Sequence, residues 1–522
     1  MRNVRAALNI FFLACIAFAP AGVHAWYDSD YDYCRELTIT AGGASGGVAT
    51  TTTAGFALVA TSTISSLRTT GNGGTITQTS TASGTTTPVD VIITDGTECN
   101  SDGGSTVLDF YFEKYVPTTG EFVLWSEPIG ISSTTPTTVL MYYGNSGASD
   151  LSDEAGVFGA SGEQGVWNLH EDPSSVGAGG ILDSTANNND GTDGGSMNAA
   201  DLVAGMVDGA FDFDNTDDLI TVSDNASLDI TAQLTVSAWV RKPALSGVDG
   251  VIAKGTSPTL MNYDFHTWDD ELEFYYYTGG VDRSRNTSSA NLQTNTWYYI
   301  VATYNDAANS LLLYVNGTSR ATADINSPAT NSLTANNSAF IIGEAINGSP
   351  TNGLIDDARV YNRALHSMDI LTIYNNTRSS AVFWTFGSEE TETPVVVAPT
   401  VTTDAATDVD ETSVTLNGTV TDTGGDDAAT CGFAWGTNSA LSGGDTATTS
   451  DSMCPTGTGA FFKALTSLAS ATTYYFRAYA TNPEGTGYGT ILNFTTATPG
   501  GPNRVMRLLG DMRLRGVRLL GL

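Results

Sequence analysis

Across residues 205–242 apolar and polar positions fall into three short runs separated by Asp, Asn, Gly and Ser. The runs cover residues 210–213, 219–222 and 234–240, and the separators favour turns because Gly admits positive φ and Asx side chains bond the local backbone. In the last run Leu234, Val236, Ala238 and Val240 share one face, while Thr235, Ser237, Trp239 and Arg241 share the other. This predicts a strand with one buried face and one face carrying a large aromatic among polar groups. Residues 89–93, 106–112, 121–125 and 138–143 are strand-like runs too, and residues 26–158 show no helical periodicity. Further on, residues 412–418, 431–436 and 474–480 read as strands of a small sandwich. The whole pattern predicts an all-β chain of several domains.

Residues Gly205, Ala210, Phe213, Asp217, Asp218 and Val222 resemble the G-x-x-x-x-A-x-x-F-x-G-x-D-D-x-x-x-V pattern of laminin G-like jelly rolls, with Asn215 where that pattern has Gly. The runs NTWYYIVATY (295–304), LLLYVNG (311–317) and GLIDDARVYNRAL (353–365) follow in family order. Residues 181–192 resemble the family's D-x-S-G-N-x-N-x-G opening loop, with Ala186 in place of its Gly. The resemblance implies a concanavalin A-like jelly roll over residues 163–386. Tyr33, Arg35 and residues 37–39 and 140–145 resemble a β-rich domain of exported prokaryotic proteins, expected at 26–160. Residues 465–474 are similar to the tyrosine corner of fibronectin type III-like domains. That similarity implies a spacer or adhesion sandwich at 399–497, joined by a linker at 387–398.

Residues 1–25 combine Arg2 and Arg5 with an apolar run at 10–18 and a small-residue end at Ala25, the form of a secretory leader. The run is shorter than the roughly 20 residues a spanning helix needs, and no later stretch is long enough, so we expect export without a transmembrane span. Beyond Cys15 the cysteines are Cys34, Cys99, Cys431 and Cys454. Two fall in the first domain and two in the last, so we expect Cys34 to pair with Cys99 and Cys431 with Cys454 in an oxidising compartment.

The formal net charge is −35 over 522 residues. Setting aside two Arg in the leader and five Arg with one Asp in the tail leaves 14 basic against 55 acidic residues. Such a body repels nucleic acid and anionic lipid, which argues against both as its partners. The tail at 498–522, with Arg504, Arg507, Arg513, Arg515 and Arg518, reverses the sign and is a candidate envelope contact or sorting signal, or else an unordered terminus.

Candidate chemistry concentrates in residues 269–277. Leu272, Phe274 and Tyr276 alternate with Glu271, Glu273, Tyr275 and Tyr277, so if the first set faces the core the second lines the sheet surface. Tyr rings stack on sugar faces and carboxylates accept hydrogen bonds from hydroxyls, which makes Trp239, Tyr275, Tyr277, Glu271 and Glu273 a candidate glycan site. Ordinary cross-strand aromatic pairing is the competing explanation. Asp269, Glu271 and Glu273 also share a strand face, but the residue order departs from the paired-acid arrangement of retaining glycosidases. His170, His266 and His366 lie far apart and read as surface or structural residues. Oxygen donors Asp183, Asn187, Asn189 and Asp356 are the candidate Ca²⁺ ligands, against simple Asx turns. The reading is thus a secreted or cell-surface binding protein for a glycan or a cell-surface protein. A glycoside hydrolase and a structural surface-layer or filament protein are its competitors.

Overall fold

The computed structural model describes residue 27 and residues 30–500, apart from short segments at 43–45, 50–56, 83–84, 100–104, 128–129, 160, 177–178, 258–259, 279–280, 325–331, 392–395, 443–446 and 452–453. The expected leader and all but the first three residues of the basic tail lie outside the described residues. The chain divides into two compact units, His24–Glu392 and Thr393–Leu522. Among the described residues no helix is long and apolar enough to cross a membrane.

The middle of the first unit is a concanavalin A-like jelly roll of two eight-stranded antiparallel sheets. One sheet runs Gly191–Gly194, Leu219–Val222, Phe340–Ile342, Val248–Gly255, Met261–Trp268, Glu271–Thr278, Val281–Thr287, Thr322–Asp324. We call it the hairpin sheet. The other is built around Asn352–Tyr361, Gln233–Arg241, Trp297–Asn305 and Ser310–Val315, and we call it the central sheet. Period-two alternation sends one side of each strand into the space between them. Leu234, Val236, Ala238, Ile300 and Ile355 from the central sheet share one buried cluster with Ile252, Phe265, Leu272 and Phe274 from the hairpin sheet.

The second face of Gln233–Arg241 departs from expectation. Thr235, Ser237 and Trp239 are buried as fully as their alternates. The cause is a helix, Ser367–Arg378, whose Ile370, Ile373 and Tyr374 pack over that face with Tyr299 and Tyr314. Trp239 packs against both Tyr299 and Tyr374, with ring centroids 5.5 and 5.7 Å away, and its Nε1 donates to Thr377 Oγ1 at 3.0 Å.

The N-terminal part of the same unit has a four-stranded sheet and a three-stranded sheet around a common core. Here the sequence boundaries need correcting. After the helix, Trp384–Thr391 returns to pair antiparallel with Tyr33–Ile39, from Ile39↔Trp384 to Tyr33↔Thr391. Residues 387–391, read as linker, are therefore an edge strand of the first domain. The helix binds the same domain: Asn376 accepts from Val59 N and donates to Val59 O, both at 2.7 Å, and Trp384 Nε1 also donates to Val59 O. Arg359, buried in the central sheet, lies over the rings of Trp125 and Phe158 at 4.8 and 5.5 Å. The first two expected domains thus share strands, side-chain bonds and a buried cation.

Within the second unit a three-stranded and a five-stranded sheet enclose Leu416, Phe433, Phe461 and Phe476. Ala469 N donates to the Tyr474 hydroxyl at 3.0 Å, closing the corner expected at that tyrosine. Both expected disulfides are present, Cys34–Cys99 and Cys431–Cys454.

Candidate functional site

The hairpin Met261–Trp268 and Glu271–Thr278 shapes the site. Its turn is Asp269–Asp270, where Asp269 adopts a left-handed φ of 51° and its Oδ1 accepts from Gly247 N at 2.9 Å. This turn fixes the register: Trp268 opposes Glu271, His266 opposes Glu273 and Asp264 opposes Tyr275. On the next strand Ser284 opposes Tyr275 and Asp282 opposes Tyr277. With Tyr263, Phe265, Leu272, Phe274 and Tyr276 committed to the core, the alternates Asp264, His266, Trp268, Glu271, Glu273, Tyr275 and Tyr277 share the outer face.

A cavity of about 360 Å³ opens on that face. Asp264, His266, Glu273 and Tyr275 form its floor and flank, with Trp268 and Asp282 also lining it. Ile346 and Asn347 come from the loop before Asn352–Tyr361, and Ile346 N donates to Asp264 Oδ2 at 3.2 Å.

His266 organises the polar part. Its Nδ1 lies 3.4 Å from Asp264 Oδ1 and its Nε2 lies 3.4 Å from Glu273 Oε2. Its ring stacks on Tyr275, with centroids 5.4 Å apart and planes 21° from parallel. Burial alone would push the imidazole down, but the charges of Asp264 and Glu273 and their hydrogen bonds raise it to about 9. At neutral pH it is therefore an imidazolium between two carboxylates. The Tyr275 hydroxyl is raised by burial and by the Glu273 charge, against a hydrogen bond with Ser284. Glu273 is only 1 % exposed, and its Oε1 has no hydrogen-bond partner. Trp268 stands 47 % exposed at the rim. An apolar plate beside a buried acceptor suits a ligand with a flat apolar face and hydroxyl or amine donors on its edge.

Of the sequence-derived candidates, Glu273 and Tyr275 line this cavity. Glu271 and Tyr277 share its face, with Glu271 Oε2 accepting from Asn286 Nδ2 at 2.8 Å. Trp239 does not join them: it belongs to the other sheet and lies under the helix. Asp269 leaves the acid row as well, because the turn takes it out of the strand. Three residues were missed, Asp264, His266 and Trp268, although the period-two run MNYDFHTW was there to be read.

The candidate calcium ligands have other occupations. Asp183 Oδ1 accepts from Val166 N at 2.9 Å and Thr185 N at 3.0 Å, and its Oδ2 accepts from Thr185 Oγ1 at 2.9 Å and Asn189 N at 2.8 Å. Asn187 and Asn189 each donate through Nδ2 to Gln164 O. Asp356 instead accepts from Met206 N at 2.6 Å and Val207 N at 3.2 Å, closing a different loop. Four donors already take up the lone pairs of Asp183, which holds its loop together as an Asx turn does.

A family model described as the concanavalin A-like lectin/glucanases superfamily, of laminin G type, matches residues 214–371, which include the whole hairpin. No curated protein matches the chain. Among solved structures it is similar to domain 4 of AbnA, an extracellular arabinanase of Geobacillus stearothermophilus in complex with arabinotriose, with 20% identity, 40% of this chain and 98% of that one covered, and a TM-score of 0.31. The binding domain of botulinum neurotoxin serotype G gives 12% identity, coverage of 63% and 81%, and a TM-score of 0.33. A Ruminococcus gnavus sialidase CBM40 bound to α2,3-sialyllactose gives 12% identity, coverage of 32% and 96%, and a TM-score of 0.26. We take no ligand from these likenesses.

Proposed function

We propose that this chain is an exported binding protein of the cell surface whose jelly roll takes a carbohydrate in the hairpin-sheet cavity. One observation carries the reading: an exposed Trp268 beside the buried Asp264–His266–Glu273 array, with a Glu273 oxygen still short of a donor. A pyranose presents an apolar face to stack on an indole and hydroxyls to fill such an acceptor. In this reading the N-terminal domain stiffens the jelly roll through the shared strand, and the second unit is a fibronectin type III-like spacer. Export is supported by the leader-like residues 1–25 and the two disulfides.

The test is calorimetric titration of the full chain with a panel of neutral oligosaccharides. Binding by the wild type and loss by Trp268→Ala supports the reading. Equal binding by both proteins removes the cavity as the site. Release of reducing sugar from any of them would move the chain to the enzyme class.

A further inference from the structure

The helix Ser367–Arg378 covers the outer face of the central sheet at Trp239 and Tyr299. Two residues along the same strand and on the same face, Arg241 is only half-buried and lines a separate cleft of about 340 Å³. The register builds this cleft. Arg241 on Gln233–Arg241 and Asp212 on Gly209–Asp214 both oppose Leu354 of Asn352–Tyr361, one from each side. Their neighbours Val240, Phe211 and Ile355 belong to the core, so Arg241, Asp212 and Leu354 share the outer face. Two strand spacings hold the backbones of Arg241 and Asp212 about 9–10 Å apart across an apolar floor, Leu354, with Val203 and Pro243 also lining the cleft.

Neither charge is matched inside the protein. Arg241 Nε donates to Asn295 O at 3.2 Å, which orients the guanidinium, and among the described residues its two terminal nitrogens have no partner. In a chain this acidic that is uncommon: Lys114, Lys242, Lys254 and Arg359 of the same unit are all paired with carboxylates. At the other end, the Asp212 carboxylate takes part in no hydrogen bond or ion pair among the described residues. Burial raises its carboxyl first and the charge of Asp201 next, while Arg241 pulls the other way and Asp214 adds to the rise.

A cation at one end, an anion at the other and an apolar floor between them select a ligand by its charge separation. A purely anionic ligand meets Asp212 with Asp201 and Asp214 close by, a purely cationic one meets Arg241, and a neutral sugar uses neither charge. A carboxylate and an ammonium at the two ends of a methylene chain use all three features, and such a molecule, being net neutral, is not repelled by the acidic body. A six-bond chain is about 7 Å long, the length of two extended residues, which suits side chains whose backbones stand about 9–10 Å apart.

We propose that this cleft binds a linear ω-amino carboxylate, with the carboxylate on the Arg241 guanidinium, the ammonium on Asp212 and the methylenes over Leu354. A lysine at the C-terminus of a peptide presents the same groups at the same separation as a free ω-amino acid. The site lies on the other sheet from the hairpin-sheet cavity and does not rest on the carbohydrate reading.

The experiment titrates the full chain by calorimetry, at neutral pH and moderate salt, with ε-aminocaproate, caproate, hexylamine, an N-acetylated alanine peptide ending in lysine, and the same peptide with an amidated C-terminus. ε-Aminocaproate should bind about tenfold or more tighter than caproate or hexylamine. Arg241→Gln should weaken it to the level of hexylamine and Asp212→Asn to that of caproate, while Asp426→Asn, an exposed acid of the second unit, leaves it unchanged. If Arg241→Gln does not fold, Asp212→Asn, at an exposed position, decides alone. Tight binding of the lysine-ended peptide with failure of its amide assigns the cleft to a peptide C-terminus, and tight binding of ε-aminocaproate alone assigns it to a free amino acid; either result upholds the proposal. Caproate or hexylamine binding as tightly as ε-aminocaproate overturns it. Equal loss in Asp212→Asn and Asp426→Asn overturns it too, since the attraction is then general, as does no measurable binding of any probe.

Discussion

Replacing Trp239 with Ala separates a core role from a ligand role at one residue. The indole is 1 % exposed, contacts Tyr299 and Tyr374 at 5.5 and 5.7 Å, and donates to Thr377 Oγ1. Removing such a side chain from a packed core costs about 3–5 kcal/mol in lost transfer energy and cavity. The lost hydrogen bond adds little, because the Thr377 hydroxyl still donates to Ile373 O at 2.9 Å. In a unit as long as His24–Glu392, unfolding entropy scales so that each kcal/mol moves the midpoint by roughly 1 °C. Scanning calorimetry should therefore show the larger transition lowered by roughly 3–5 °C and the transition of the second unit unmoved. Titrated well below its midpoint, the variant should bind sugar like the wild type. A midpoint change too small to measure, or an intact fold with binding abolished, would refute the placement of Trp239 beneath the helix.

Stability of the first unit should fall as pH rises from 5 to 9. Glu127 and Glu163 are raised to about 7, both chiefly by burial, so the stability they lend is full below the ordinary carboxylate value and lost as pH climbs through 7. His266, raised to about 9, lends stability that is full below its ordinary value and lost as pH passes 9. Calorimetry across that range tests this, and a stability maximum above pH 8 would contradict it. Asn376→Ala should cost about 1–3 kcal/mol by leaving Val59 N buried without an acceptor, read from urea unfolding. A fragment of residues 163–386 should unfold at lower urea than the intact unit, since its helix and Trp384 lose their bonds to Val59 and most of the edge strand that pairs with Tyr33–Ile39 is cut away. Equal midpoints would show that the domains are independent. Melting curves with and without calcium should coincide if Asp183 serves its loop alone, and a calcium-dependent rise would restore the ion reading.

Period-two patterning carried much of the fold. It placed Leu234, Val236, Ala238 and Val240 in the core and set Glu273 and Tyr275 opposite Leu272 and Phe274. It says which side of a strand a residue takes, but not what covers that side, so Trp239 was expected on an open face. Nor does a local pattern reveal pairing between Tyr33–Ile39 and Trp384–Thr391, which are separated by the whole jelly roll. His266 was discounted because its two carboxylate partners are a matter of register: Asp264 is two residues away, but Glu273 arrives only through the turn at Asp269–Asp270. Asp-Asp before a strand is a turn signal, so that much of the site was legible.

The most direct measurement is a crystal structure of the full chain grown with the tightest-binding oligosaccharide of the panel. The account predicts a sugar ring lying on Trp268 with one donor within hydrogen-bond reach of Glu273 Oε1. Sugar density on the central sheet or on the second unit, with only water over Glu273, would contradict it.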